Sequence, residues 1–249
     1  LDNNRKFPKE LKKDYEIINA DLYLRQKNFS LAKTSLINCI KKHKLRKDKA
    51  RVNFIVAQIY QIEEQFSEAA KYYHEVLKSN ADYRMVFNTK MNLALCADKR
   101  TKDSDKIRKQ LVKMTKDDKN IEYLDQIYYT IAEMDIARED TALAKENYLN
   151  STIYSVSNDP QKALSFLSLG QIEFNASNFV KSQLYYDSTI FFMDEDYRLY
   201  QSVYKQYEIL TDLVTSLNTI HLQDSLIQLA LLPRAELSSV IQKLINKEI

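Results

Sequence analysis

The residues able to do chemistry are few and scattered. Three histidines, His43, His74 and His221, stand far apart, with no HExxH and no His/Cys spacing that holds a metal. Cys39 and Cys96 lie in apolar, helix-patterned stretches without a CxxC. A cysteine in such a setting is ordinarily a buried thiol. No GxSxG nucleophile motif occurs. Neighbouring carboxylates at Glu63-Glu64, Asp117-Asp118 and Asp194-Glu195-Asp196 have the pairing that acid–base catalysis uses. They fall at expected turns and helix starts, where acids cap helices. A single glycine in 249 residues excludes Gly-rich phosphate loops, dinucleotide fingerprints and glycine-turned hairpins. These readings predict a protein that is not an enzyme, with no cofactor and no metal.

Binding chemistry is better represented. Lys41, Lys42, Lys44, Arg46, Lys47, Lys49 and Arg51 make the densest basic run. One reading is a solvated helix end, where cations complement the helix C-terminus. The other is a docking patch for an acidic protein, a phosphate or a lipid headgroup. Nucleic acid is not an expected partner, because no nucleic-acid motif accompanies the run. Seventeen tyrosines and ten phenylalanines invite base stacking, but most stand at repeat positions identified below, which makes them core. Residues 1–120 hold 28 Lys and Arg against 16 Asp and Glu, whereas residues 121–249 hold 9 against 18. The net charge of +3 therefore conceals a basic first half and an acidic second half.

The elements that must carry these residues are helices. Apolar residues make up 45% of the chain and charged residues 29%, so it is neither disordered nor membrane-spanning in composition. With one glycine and three prolines, sandwiches and multi-stranded α/β sheets lack their turn residues. No window approaches about 18 apolar residues, the length of a membrane-crossing helix. The first residue is Leu1 and the last run is helix-patterned, so the expectation is a piece of a longer protein.

Four segments echo one another. Ala20-Asp-Leu-Tyr23 precedes Asn28-Phe29-Ser-Leu-Ala32, and Ala57-Gln-Ile-Tyr60 precedes Gln65-Phe66-Ser-Glu-Ala69. Ile131-Ala132 precedes Asp140-Thr141-Ala-Leu-Ala144, and Leu169-Gly170 precedes Asn178-Phe179-Val-Lys-Ser182. A degenerate unit between them starts at Met91-Asn-Leu-Ala94 and has Ile107 at the aligned position. The aligned residues Ala32, Ala69, Ile107, Ala144 and Ser182 are 37, 38, 37 and 38 apart. This resembles the tetratricopeptide (TPR) pattern, lengthened by about three or four residues. In that pattern two helices of a hairpin cross closely at small residues, and aromatics fill the space beside the crossing.

The expected fold class is all-α: a TPR-like α-solenoid of about five helical hairpins, from about Lys13 to Asp194, plus C-terminal capping helices. The expected loops are Gln26–Ser30, Glu63–Ser67, Asp98–Ser104, Arg138–Thr141 and Asn175–Asn178. The domain reading is repeats over 1–195 and C-terminal helices over 196–249, which cap the array or lead to a further domain. The tail should hold one helix over Tyr197–His221, a second over Leu222–Leu232, and a third opened by Pro233.

TPR arrays bind partners in a groove lined by the first helix of each hairpin. The groove candidates are Arg51, Phe54, Gln58 and Gln61, then Tyr129 and Glu133, then Gln171, Phe174 and Asn175. The carboxylate clamp of chaperone-binding TPR proteins has no counterpart at Ile17/Asp21 or Phe54/Gln58. A mixed apolar and amide groove suits a partner's helix or extended segment.

Two further stretches are more specific. They are Tyr185-Tyr-Asp-Ser-Thr-Ile-Phe-Phe-Met193 and Leu217-Asn-Thr-Ile-His-Leu-Gln-Asp-Ser-Leu226, the latter followed by Leu229-Ala230, Leu232-Pro233 and Arg234-Ala-Glu-Leu237. These resemble the large TPR lipoproteins of Bacteroidota of the PorW or SprE type, components of the type IX secretion system and of gliding motility. Arg234 and Leu237 depart from the Glu and Arg expected around the Ala-Glu pair. The resemblance implies a non-catalytic scaffold in the periplasm, held at the outer membrane by a lipid anchor upstream of Leu1. Its implied partners are subunits of the secretion translocon and of the periplasmic ring and motor. The alternative is a TPR sensor or regulatory module of a signalling protein.

Overall fold

A computed structural model describes residues 11–42, 46–97 and 102–248. Every regular element in them is helical: α1 (Leu11–Arg25), α2 (Phe29–Lys42), α3 (Arg46–Ile62), α4 (Phe66–Leu77), α5 (Tyr83–Cys96) and α6 (Lys102–Met114). After a 3₁₀ turn at Asp118–Tyr123 come α7 (Leu124–Ala137), α8 (Thr141–Tyr154), α9 (Asp159–Asn175) and α10 (Phe179–Phe192). Two longer-spaced helices, α11 (Tyr200–Ala230) and α12 (Arg234–Glu248), end the chain. Helices adjacent in sequence pack in pairs, an arrangement compatible with an α-solenoid. The contacts divide the chain into two compact units between Asn147 and Tyr148, inside α8.

In the first unit, small residues bring the helices of a hairpin together. Ala20 faces the α1–α2 crossing with Ala32, and Ala57 the α3–α4 crossing with Ala69, all at most 1% exposed. Tyr73 fills the space beside Ala69, fully buried, with its hydroxyl donating to Gln61 at 2.7 Å. Burial pushes its phenol pKa well up. Tyr60 stacks on Tyr72 with ring centres 5.5 Å apart, and the Lys33 ammonium lies 4.4 Å from the Tyr60 ring centre. Lys33 also pairs with Glu63. The second unit repeats the scheme at Gly170, Ser182 and Tyr186. The Ser182 hydroxyl donates to the Gly170 carbonyl at 2.9 Å, and a Cβ on Gly170 would stand 2.8 Å from a Tyr186 ring carbon.

The short turns share one geometry. Lys27, Glu64, Glu139 and Ser177 have φ of 56°, 58°, 65° and 60°. At each, the left-handed residue's N–H reaches back three residues and the next N–H reaches back five, as in Asn28 to the Tyr23 carbonyl at 2.8 Å and Asn178 to the Glu173 carbonyl at 2.9 Å. This is the Schellman cap, which usually employs glycine. Glycine is scarce here, yet the turns keep the shape that glycine favours. The next helix is then started by side-chain caps such as Asn28 to the Leu31 N–H and Asp140 to the Leu143 N–H, at 3.3 and 3.2 Å.

The third hairpin departs from the others. Where the rest carry Ala or Ser, it has Ile107, whose bulk keeps α5 and α6 from crossing closely, and the two touch only sparsely. Leu111 of α6 packs in one cluster with Phe87, Met91 and Ala94 of α5 and with Ile127, Ile131 and Met134 of α7, and Arg108 binds Asp135 of α7. α6 starts at Lys102, so the last three residues of the expected Asp98–Ser104 loop are helical, and 98–101 lie outside the described residues.

The tail needs one correction. A helix break at His221/Leu222 does not exist; α11 runs unbroken through it for 31 residues. No Gly or Pro interrupts this stretch, and a change in which face is apolar does not by itself end a helix. The next helix begins just after Pro233, as the Pro signal implied. The first half of α11 packs on α10 through Val203 and Leu210.

Candidate functional site

The groove candidates separate into those that line a cavity and those that lie on open helix faces. In the first unit, a cleft of about 890 Å³ opens where the third hairpin splays. Its walls are Phe66 and Ala70 of α4, Leu93 and Cys96 of α5, Ile107 of α6, and Met134 and Ile136 of α7. Gln61 and Glu133 are the two groove candidates that reach it. Both are half-buried, and Gln61 is already engaged as the acceptor for Tyr73.

Arg51 and Gln58 are exposed on α3 and outside this cleft. Phe54 lies half-buried beside them, edge-on to Tyr73 with ring centres 5.7 Å apart, so part of its surface serves the core. Tyr129 is half-buried on α7. In the second unit, Gln171 and Asn175 are exposed on α9, and Phe174 is 38% exposed while meeting Phe179 edge-on. Of the basic run, Lys41 is exposed and Lys49 half-buried. Lys44 and the side chains of Lys42, Arg46 and Lys47 lie outside the described residues.

The cleft was not legible as a site, although one signal existed. A bulky residue at the position where four other units carry Ala or Ser predicts that the hairpin cannot close. Three residues that line the cleft, Phe66, Leu93 and Ile107, each read as ordinary core in isolation.

Burial pushes the Cys96 thiol up to about 11, so it is neutral near pH 7 and a poor nucleophile. Cys39 is buried in a different cluster, among Ala20, Ala32 and Leu36. Asp103, at the rim, pairs with Lys106 at 3.0 Å. The rest is an apolar floor edged by the Gln61 amide, the Glu133 carboxylate and the His74 imidazole, suited to a partner's apolar side chains. Among the described residues no group of three or more His, Cys, Asp or Glu is placed to hold a metal, and no helix is long and apolar enough to cross a membrane.

No family model matches this chain, and no curated protein matches it either.

Proposed function

We propose that the chain is a TPR-like helical array that acts as a non-catalytic adaptor between proteins. The observation that carries this reading is the crossing at Gly170, Ser182 and Tyr186. There a glycine and a serine meet backbone to hydroxyl and a tyrosine ring fills the remaining space, the packing that the TPR pattern specifies. The small pairs Ala20/Ala32 and Ala57/Ala69 and the four matching caps support it further.

The resemblance of residues 185–193 and 217–237 to the PorW and SprE lipoproteins supplies the context. In that reading the protein works in the periplasm at the outer membrane and links the type IX secretion translocon to its ring and motor. Its membrane contact is through a lipid anchor. Partner segments bind along the first helices of the hairpins, at Phe54, Gln58, Tyr129, Glu133 and Phe174, with the basic run at Lys41–Lys49 as a second contact.

The test is affinity purification of the tagged full-length protein from detergent-solubilised envelopes, followed by mass spectrometry. Translocon or ring subunits are the expected catch. Recovery of cytoplasmic signalling proteins alone would overturn the secretion reading. Charge reversal across Lys41–Lys49 should weaken the recovered complex and flatten its salt dependence; unchanged binding removes the basic run from the interface.

A further inference from the structure

α6 carries a row of lysines on its solvent side. Lys106, Lys109 and Lys113 are exposed on the helix. Lys116 is exposed on the turn that continues it, and its N–H donates to the Lys113 carbonyl at 3.1 Å. The four stand 3, 4 and 3 residues apart. At helical pitch they fall within an arc of about 80° and a length of about 15 Å. Lys106 pairs with Asp103 at 3.0 Å. Among the described residues, Lys109, Lys113 and Lys116 make no ion pair.

The repeat itself shows that this row is particular to the third hairpin. Counted from the aligned residues Ala32, Ala69 and Ala144, the same four positions are Leu31, Thr34, Asn38 and Lys41 in α2, and Leu143, Glu146, Asn150 and Ile153 in α8. In α4 they are Glu68, Lys71, Glu75 and Lys78, which neutralise one another: Lys71 pairs with Glu68 at 2.5 Å and Lys78 with Glu75 at 2.7 Å. α6 has lysine where α4 has both glutamates. Cations three or four residues apart on a helix are neighbours and destabilise it, and they lie within the screening length of physiological salt. The helix C-terminus offsets this for Lys113 and Lys116, but Lys106 and Lys109 lie more than a turn further back. A bound anion would relieve the repulsion along the whole row.

The row is bounded by acids. Asp103 and Asp105 precede it and Asp117 and Asp118 follow it, all exposed. Asp105 pairs with Arg138 at 2.7 Å, and Asp117 accepts from the Lys119 N–H at 3.1 Å. A nucleic-acid duplex carries a charge about every 1.7 Å of its axis, and an anionic lipid surface extends in every direction. Either one would continue its negative charge past both ends of the row and meet these acids. An acidic stretch of polypeptide only about 15 Å long would not. Carboxylates at the same helical spacing on a second helix would face the four ammonium groups one to one.

We infer that the lysine row of α6 docks a short acidic helix of a partner protein, whose carboxylates face Lys106, Lys109, Lys113 and Lys116. This surface is separate from the run at Lys41–Lys49 and from the first helices of the hairpins. The inference rests on the adaptor reading only in taking the partner to be a protein, and it does not use the secretion context. Its test contains no secretion component, so its failure leaves the outcome of the affinity purification untouched.

Fluorescence anisotropy tests it, with the 249-residue chain and a labelled, alanine-based helical peptide. The peptide carries four glutamates spaced 3, 4 and 3, as the lysines are, and one lysine beyond each end. The expected result is binding that weakens as salt rises, and that is weaker for a peptide with the same glutamates spread around the helix. The double variant Lys106→Glu, Lys113→Glu gives α6 the charge pattern of α4, so it should keep its helical circular dichroism while binding the peptide about tenfold more weakly. If that variant loses helix, Lys109→Gln carries the test, with an expected loss of about threefold. No binding of the peptide, equal binding of the scattered peptide, or an affinity unchanged by these variants would overturn the proposal. Tighter binding of single-stranded DNA or of phosphatidylserine vesicles through the same lysines would overturn it too.

Discussion

Arg108 closes on the Asp135 carboxylate with two nitrogens, Nε at 2.6 Å and Nη2 at 2.9 Å. Asp135 is 1% exposed and also accepts from Asn147 Nδ2 at 2.9 Å, so the carboxylate ties α6, α7 and the start of α8 together. The hydrogen bond to Asp135 holds the guanidinium pKa above its usual value, outweighing desolvation. Lys33 and Tyr60 stand 75 positions earlier than Arg108 and Asp135. There the cation lies over a ring as well as pairing with the Glu63 carboxylate. The register is the same: a cation on the second helix of one hairpin reaches the first helix of the next.

Removing the carboxylate leaves the guanidinium without its partner in a site mostly closed to water. Asp135→Ala should lower stability by about 3 kcal/mol. The double variant Arg108→Met, Asp135→Leu should recover most of that loss, since matched apolar groups avoid the desolvation of both charges. Urea unfolding of Arg108→Met, of Asp135→Leu and of the double variant checks it. Additive losses would mean that the two residues do not act as a pair.

Gly170→Ala puts a methyl group 2.8 Å from the Tyr186 ring. Tyr186 is 5% exposed and packed in the core, so the ring cannot swing away. The helix-propensity gain of up to about 1 kcal/mol should be outweighed by about 1–3 kcal/mol of overpacking. The expected net result is a lower urea midpoint. Combining it with Tyr186→Leu should make the alanine far less harmful, and a clash that persists unchanged in the double variant would place the strain elsewhere.

Left-handed backbone without glycine costs roughly 1–2 kcal/mol per residue, partly offset by the greater freedom glycine has when unfolded. Lys27→Gly and Glu64→Gly should therefore each raise stability by about 0.5–1 kcal/mol. Glu146→Gly, inside α8, should lower it by about 1 kcal/mol. Thermal melts of the three variants distinguish a turn effect from a general effect of glycine.

The Cys96 thiol titrates near 11, above its ordinary value, because burial disfavours the thiolate. As pH rises past the ordinary value, the unfolded chain loses this proton first. Stability from Cys96 is thus complete below that point and is lost as pH climbs towards 11. The difference between wild type and Cys96→Ala should shrink over that window. Thiol-reagent labelling should likewise be slow near neutral pH; fast labelling of the folded chain would contradict the burial.

The hairpins were legible because close helix crossings tolerate only small residues, and Ala32, Ala69, Ala144 and Ser182 recur at near-constant spacing. The turns were not fully legible. Glycine is the usual sign of a left-handed cap, and here Lys27, Glu64, Glu139 and Ser177 adopt that conformation in its place. The continuity of α11 was hidden by its shift in apolar face. Of the groove candidates, helix position alone could place Gln61 and Glu133 near one cavity, but not that Phe54 and Gln61 also support Tyr73. That depended on which side chains the core had already claimed.

The sparse α5–α6 contact sets an order of events as the chain leaves the ribosome. Helices α2 and α4 each have a docking partner already made when they emerge. α6 meets α5 through Ile107 and Leu111, but its guanidinium waits for Asp135, 27 residues downstream of Arg108. During synthesis the third hairpin is therefore completed only when α7 emerges, and a pause in translation just after α6 would hold the nascent protein with Arg108 still lacking Asp135.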